Sequence, residues 1–206
     1  MRHTQTAGLA LTGIMALALT GCASTLTLTE SGSMTTTDYS RVALYDSLDA
    51  MSADSDLVVV GIVGTQTTVY DIDDITPFTL STVTIQDAVL GEAPADAITV
   101  RQFGDVSIAD TEEILTPGTT YLLYLTESGL SGELAAHYYV TGVTAGIYQA
   151  KTAQRSPSRI SPQTLSQNTL NSLTFEHIST EDGDELPSNV TLDTAESADA
   201  PPTSDR

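Results

Sequence analysis

The sequence predicts an all-β domain: a small barrel or sandwich of five to seven strands, with a short N-terminal helix and a disordered C-terminal tail. Three observations carry that expectation. Between residues 57 and 150 the apolar residues either alternate or run continuously in short segments, as strands do. Clusters of Gly, Pro, Asp and Ser separate those segments at short intervals. No stretch of helical periodicity intervenes between them, which excludes a layered α/β arrangement.

The elements follow in order. Val42, Tyr45, Leu48 and Met51 recur every three residues with Leu44 alongside, which predicts an amphipathic helix over 39–54. Thr37, Asp38 or Ser40 is available as its N-cap. Leu57 to Val63 is β-branched and continuous, the pattern of a strand buried on both faces. Gly61 and Gly64 interrupt it and point to a bulge or a close backbone approach, and Thr67 to Tyr70 extend it or pair with it. Phe78 and Leu80 alternate in one phase while Val83, Ile85 and Val89 alternate in the other, which predicts a bulge between the two sets. Gly91 to Asp96 is a turn, and Ile98, Val100 and Gln102 begin the next strand. Pro117 and Gly118 take the central positions of a type II turn that feeds the two-faced strand Tyr121 to Leu125. Ser128 to Gly132 turns the chain into Ala136 to Val143, and Ile147 to Ala150 forms the last strand. The β-domain therefore occupies residues 39–154, enough chain to bury one core.

Beyond it the composition shifts. Lys151, Arg155 and Arg159 fall within nine positions, and Pro157 and Pro162 argue against an intact helix there. Their plainest role is a local counter-charge to an acidic domain. Leu165, Leu170, Leu173, Phe175 and Ile178 suit one short helix packed back on the barrel, so 155–178 reads as a basic linker with that helix. Residues 179–206 are acidic, rich in Pro, Ser and Thr, and nearly free of large apolar side chains, which predicts the disordered tail.

Charge excludes some functions. Seven Lys and Arg against 27 Asp and Glu give a formal charge of −20. Such a chain repels phosphate backbones, so a nucleic-acid partner is not expected. An anionic membrane surface does not attract it either, so membrane association needs another source. The single cysteine, Cys22, rules out a disulfide-stapled scaffold.

That cysteine has a distinctive setting. Arg2 and His3 open the chain, Ala7 to Leu19 carry no charge, and Leu19-Thr20-Gly21-Cys22 follows. The apolar run is too short to span about 30 Å of hydrocarbon, and it has the form of a secretory signal. Leu19 to Cys22 resembles the lipobox of bacterial lipoproteins of actinobacterial type. The resemblance implies a signal peptide over 1–21 and a diacylglyceryl thioether, with further acylation, on Cys22. It also implies attachment to the outer face of the cell membrane through that lipid. Each buried methylene contributes about 0.8 kcal/mol, so two or three acyl chains hold the protein firmly. Residues 22–38, rich in Ser, Thr and Gly, read as a flexible tether reaching roughly 20–25 Å.

A second resemblance concerns the domain. Asp56 to Val63, then Val83-x-Ile85 with Val89-Leu90-Gly91, then Ile98-x-Val100 with Gly104, then Leu115-x-Pro117-Gly118 with Tyr121 to Leu125 carry it. Together they are similar to small secreted barrels of Gram-positive lipoproteins, with an OB-like core of the kind found in tissue inhibitors of metalloproteinases and netrin modules. The resemblance implies the fold. It carries no inhibitory residues, because the cysteines that present the reactive edge in the animal inhibitors have no counterpart in this chain.

Chemistry is sparse. There is no Gly-x-Ser-x-Gly elbow, His-Glu-x-x-His helix or phosphate-binding glycine loop. A zinc site would need His137, His177 and added carboxylates. Asp71, Asp73 and Asp74 are the candidate calcium ligands, offering three carboxylates in one loop without the spacing of an EF-hand. Asp110, Glu112 and Glu113 form a lesser acidic cluster. No catalytic residue and no resident cofactor is expected, calcium being the one candidate. The expected function is a non-catalytic binding module on a cell-surface lipoprotein, its partner an envelope or extracellular protein. The alternative is a carboxylate- or calcium-dependent extracytoplasmic enzyme or enzyme accessory.

Overall fold

A computed structural model describes residues 43–107, 114–151, 164–179 and 183–198. Cys22, the tether, the cluster around Glu112, and Arg155 and Arg159 lie outside the described residues. The elements are α1 (Leu48–Ala53), β1 (Leu57–Val69), β2 (Phe78–Leu90), β3 (Ala97–Phe103), β4 (Thr120–Glu127), β5 (His137–Val140), β6 (Ile147–Ala150), α2 (Gln167–Leu170), β7 (Thr174–His177), β8 (Asn189–Thr191) and α3 (Leu192–Ala198). The fold is all-β with small helical parts. No helix among the described residues is long and apolar enough to cross a membrane.

One sheet holds all eight strands in the order β1-β2-β3-β5-β4-β6-β7-β8, and β1 pairs with β4 as well. That extra pairing, Leu57 with Leu125 through Ile62 with Thr120, closes β1-β2-β3-β5-β4 into a five-stranded ring. The ring decides between barrel and sandwich: the core is an OB-like barrel. Its parallel seam, β3 with β5, is only three residue pairs long, from Thr99 with His137 to Arg101 with Tyr139.

β1 and β4 are buried on both faces, as the continuous apolar runs require. Leu57, Val59, Val63, Tyr121, Leu123 and Leu125 fill the barrel. Val58, Val60, Leu122 and Tyr124 face outward into a second core with Leu48, Met51, Tyr148, Phe175, Val190 and Leu192. β5 and β6 lie along the same edge of β4, and residues 142–145 loop out between them. The Thr141 N–H donates to the Tyr124 carbonyl at 3.0 Å and the Tyr124 N–H to the Gly146 carbonyl at 3.0 Å, so the two strands flank one residue of β4. Past that loop, β6 leaves the barrel and carries β7 and β8.

Several expectations are corrected. The N-terminal helix is shorter: Ser47, not a residue near 38, caps α1 by accepting the Ala50 N–H at 3.2 Å, and Leu44 is exposed. The phase change expected between Leu80 and Val83 is absent. Thr79, Ser81 and Val83 are all fully buried in a single phase, and β2 pairs with β3 without interruption. A polar lumen at this end, with Thr79, Ser81 and Gln102 buried, had disguised that phase. The irregular pairing lies instead between β1 and β2, at Val58/Val59, Val60/Gly61 and Val63/Gln66. The helix expected around Leu165 to Ile178 is one turn, α2, followed by strand β7. The sheet does not end near residue 154, and the tail is not disordered throughout, since residues 189–198 form β8 and α3. Val190, Leu192 and Ala195 are too few to show a period, yet each is buried in the second core. The Asp184 carboxylate accepts the Tyr45 N–H at 2.8 Å, tying this segment to the entry of α1.

The type II turn is as expected: Gly118 has φ +80°, and the Thr119 N–H donates to the Thr116 carbonyl at 3.2 Å. Gly61 marks a close approach, because a methyl group there would overlap Cγ1 of Val83 on the paired strand β2. Gly61→Ala is therefore expected to destabilise the fold by about 1–3 kcal/mol. Adding Val83→Ala should recover part of that loss, as read by chemical denaturation of the two single variants and the double. Strict additivity would refute the contact.

Candidate functional site

The long strand β1 and its neighbour β2 project a loop, residues 70–77, beyond one end of the barrel. The β3–β4 connection begins beside it. The Gly104 N–H donates to the Pro77 carbonyl at 3.0 Å, and the Thr68 hydroxyl donates to Asp105 at 3.0 Å. The two loops therefore form one surface.

Beneath that surface lies Arg101. Even-numbered residues of β3 point into the barrel, so Arg101 points outward, yet it is completely buried. Its guanidinium carbon stands 4.4 Å from the centroid of the Phe78 ring, a cation–π contact across the β2–β3 pair. Two of its nitrogens grip the Asp71 carboxylate, one at 3.1 Å, in a bidentate ion pair. The Asp71 side chain is 31% exposed, so the pair joins a dry cation to a partly wet anion. His137 Nδ1 lies 3.4 Å from the guanidinium. Burial and the neighbouring positive charge hold the His137 imidazole below its usual pKa, so it stays neutral beside Arg101.

The Phe78 and Phe103 rings stand 4.7 Å apart, and Phe103 stacks on Tyr139 at 6.4 Å. Past the last β3–β5 pair the two strands separate. A cavity of about 320 Å³ opens there, bounded by Arg101, Gln102, Phe103, Tyr139, Val140 and Val143. Val143 has φ +65°, a left-handed conformation that strains a β-branched residue.

The candidate calcium ligands do not converge. Asp71 is committed to Arg101. Asp73 accepts the Ile75 N–H at 2.8 Å, the Thr76 N–H, and the Thr76 hydroxyl at 2.9 Å. These bonds hold the Asp73 carboxyl below its ordinary pKa, the Thr76 N–H contributing most. Asp74 is an exposed neighbour in the same loop. Among the described residues no three His, Cys, Asp or Glu side chains are grouped to hold a metal. His177 is directed elsewhere, its ring 4.7 Å from Tyr148 and its Nε2 2.8 Å from the Ala145 carbonyl. Lys151, one of the expected counter-charges, pairs with Glu176 at 3.4 Å on the surface.

Sequence reasoning missed the apolar character of this end. Five large hydrophobic side chains are exposed among those described, and four of them are here: Tyr70, Ile72 and Ile75 on the first loop and Val106 on the second, from 44% to 84% exposed. The signal lies in the alternation of Tyr70, Ile72 and Ile75 with aspartates. These side chains sit on a braced platform rather than a loose loop, since Asp71, Asp73 and Asp105 each tie the backbone down.

Removing Asp71 strands a fully buried cation. Asp71→Ala is expected to cost about 3 kcal/mol, at the lower end for a broken buried pair because water reaches the carboxylate. Replacing both partners, Asp71→Asn with Arg101→Met, should recover most of that loss in denaturant melts. A single variant as stable as wild type would remove the ion pair from any role in bracing the loop. Compared with known proteins, the chain matches no family model and no curated sequence, so the functional reading rests on the chemistry of this surface.

Proposed function

We propose that the protein is a lipid-anchored cell-surface lipoprotein whose barrel is a non-catalytic interaction module, docking an envelope or extracellular protein through the 70–77 and 104–107 loops. The observation that carries this reading is the concentration of exposed Tyr70, Ile72, Ile75 and Val106 on one braced end of the barrel. Apolar side chains held rigidly in water lower the entropy lost on association, and contiguous exposed apolar surface marks interaction sites. The anchor rests on the Leu19 to Cys22 lipobox and places the module outside the cytoplasm, within a tether's length of the membrane. The alternative of a carboxylate- or calcium-dependent enzyme draws no support from the loop acids, because Asp71 and Asp73 already have partners within the chain.

Two measurements test the reading. Cys22→Ala should move the protein from the membrane to the soluble fraction on cell fractionation, and retention in the membrane would remove the lipid anchor. A photo-cross-linking residue at position 75 in intact cells should yield a discrete adduct. The same residue at position 92, in the turn at the opposite end of the barrel, should not. Equal adducts at the two positions, or none at 75, would overturn docking through this end.

A further inference from the structure

The proposed docking end carries charge as well as apolar surface. Asp73, Asp74 and Asp105 stand among Tyr70, Ile72, Ile75 and Val106. Backbone N–H groups hold two of the three as anions: Thr76 and Ile75 donate to Asp73, and Ser107 donates to Asp105 at 2.8 Å. The one cation nearby among the described residues, Arg101, is buried and neutralised by Asp71. Among the described residues the only other cationic side chain is Lys151, on β6–β7 and paired with Glu176. The end therefore presents exposed apolar side chains interleaved with carboxylates that no described Lys or Arg neutralises.

Resting on the interaction reading above, we infer that the partner's docking element is a cationic segment: Lys or Arg residues flanking one bulky aliphatic or aromatic anchor. Charge complementarity selects this occupant. A second copy of the chain, with formal charge −20, would bring like charge against these carboxylates. An anionic lipid surface would be repelled in the same way. A segment with Lys or Arg beside its anchor places cations at Asp73, Asp74 and Asp105 while burying the four exposed side chains. The cavity next to Phe103 and Tyr139, about 320 Å³, lies directly before the Gly104 to Val106 loop. It is at the small end for a small-molecule site, roughly 300–1,000 Å³, and suits an inserted side chain. Its aromatic walls favour an apolar anchor over a polar one.

The test is selection of a random linear-peptide display library on the full chain purified in detergent. The enriched peptides are then measured by fluorescence anisotropy. Enrichment of sequences combining Lys or Arg with a large apolar residue is expected, with affinity falling as salt rises. Ile72→Asp with Ile75→Asp should weaken these peptides by roughly tenfold or more. Both positions are exposed, so the variant's melting curve should match wild type. Asp73→Asn with Asp74→Asn should flatten the salt dependence, the Asn at position 73 still capping the turn.

Neutral or acidic peptides that depend on Ile72 and Ile75 would overturn the charge inference and leave the interaction module standing. Peptides indifferent to both isoleucines would overturn docking at this end as well. Failure to enrich any sequence overturns the linear cationic segment, with the position-75 cross-link then deciding the module separately. Binding of the Cys22→Ala protein to phosphatidylcholine vesicles through Ile72 and Ile75 would assign the surface to lipid and overturn the inference.

Discussion

The pairing of β1 with β4 is the interaction on which the rest of the structure depends. It closes the ring, and it places two strands where neither face meets water. One face fills the barrel with Leu57, Val59, Leu123 and Leu125; the other backs a second core with Val58, Val60, Leu122 and Tyr124. Full burial of a residue of this size contributes about 1.5–3 kcal/mol, so a doubly buried strand pair concentrates the hydrophobic driving force in very few residues. The same pairing makes the outer elements possible. α1, α3, β7 and β8 are too short to stand alone and are held because β1 and β4 offer them an apolar wall.

The loop end is organised on a different principle. Its apolar side chains face outward, and polar interactions hold the backbone beneath them: Asp71 on Arg101, Asp73 on the Thr76 turn, Asp105 on Thr68 and Ser107. A buried ion pair is a poor source of net stability, because desolvation offsets much of the attraction. Its value here is positional. The planar guanidinium, pressed on Phe78 and gripped by two oxygens, fixes where the 70–77 loop leaves the barrel. The strained Val143 sits at the adjoining cavity, where the β3–β5 seam has already ended.

How much was legible follows from how local each signal is. The strands β1, β3, β4 and β6 were readable because burial on one or both faces writes itself into adjacent residues. The turn at Pro117 and Gly118 was readable because its conformation depends on two residues alone. The lumen phase of β2 was not, since Thr79 and Ser81 are polar residues facing inward, where Gln66 and Gln102 form a hydrogen-bonded layer under Leu115. β8 and α3 were hidden because each buries only one or two apolar residues within an otherwise acidic stretch.

The candidate site was legible only in part. In the sequence the three aspartates of the loop read as a group sharing one ion. In the fold they point to different tasks, and the isoleucines between them are what the surface presents. By itself the sequence determined an all-β class, a doubly buried first strand, the main turns and a strongly acidic surface. Each of those follows from neighbouring residues or from a sum over the chain. The tertiary structure alone decided that the sheet closes into a ring, that Arg101 meets Asp71 across thirty positions, and that four exposed apolar side chains share one end. Those depend on which distant segments become neighbours. That choice is made by the loop-closure entropy and core burial of the whole domain, which no local pattern records.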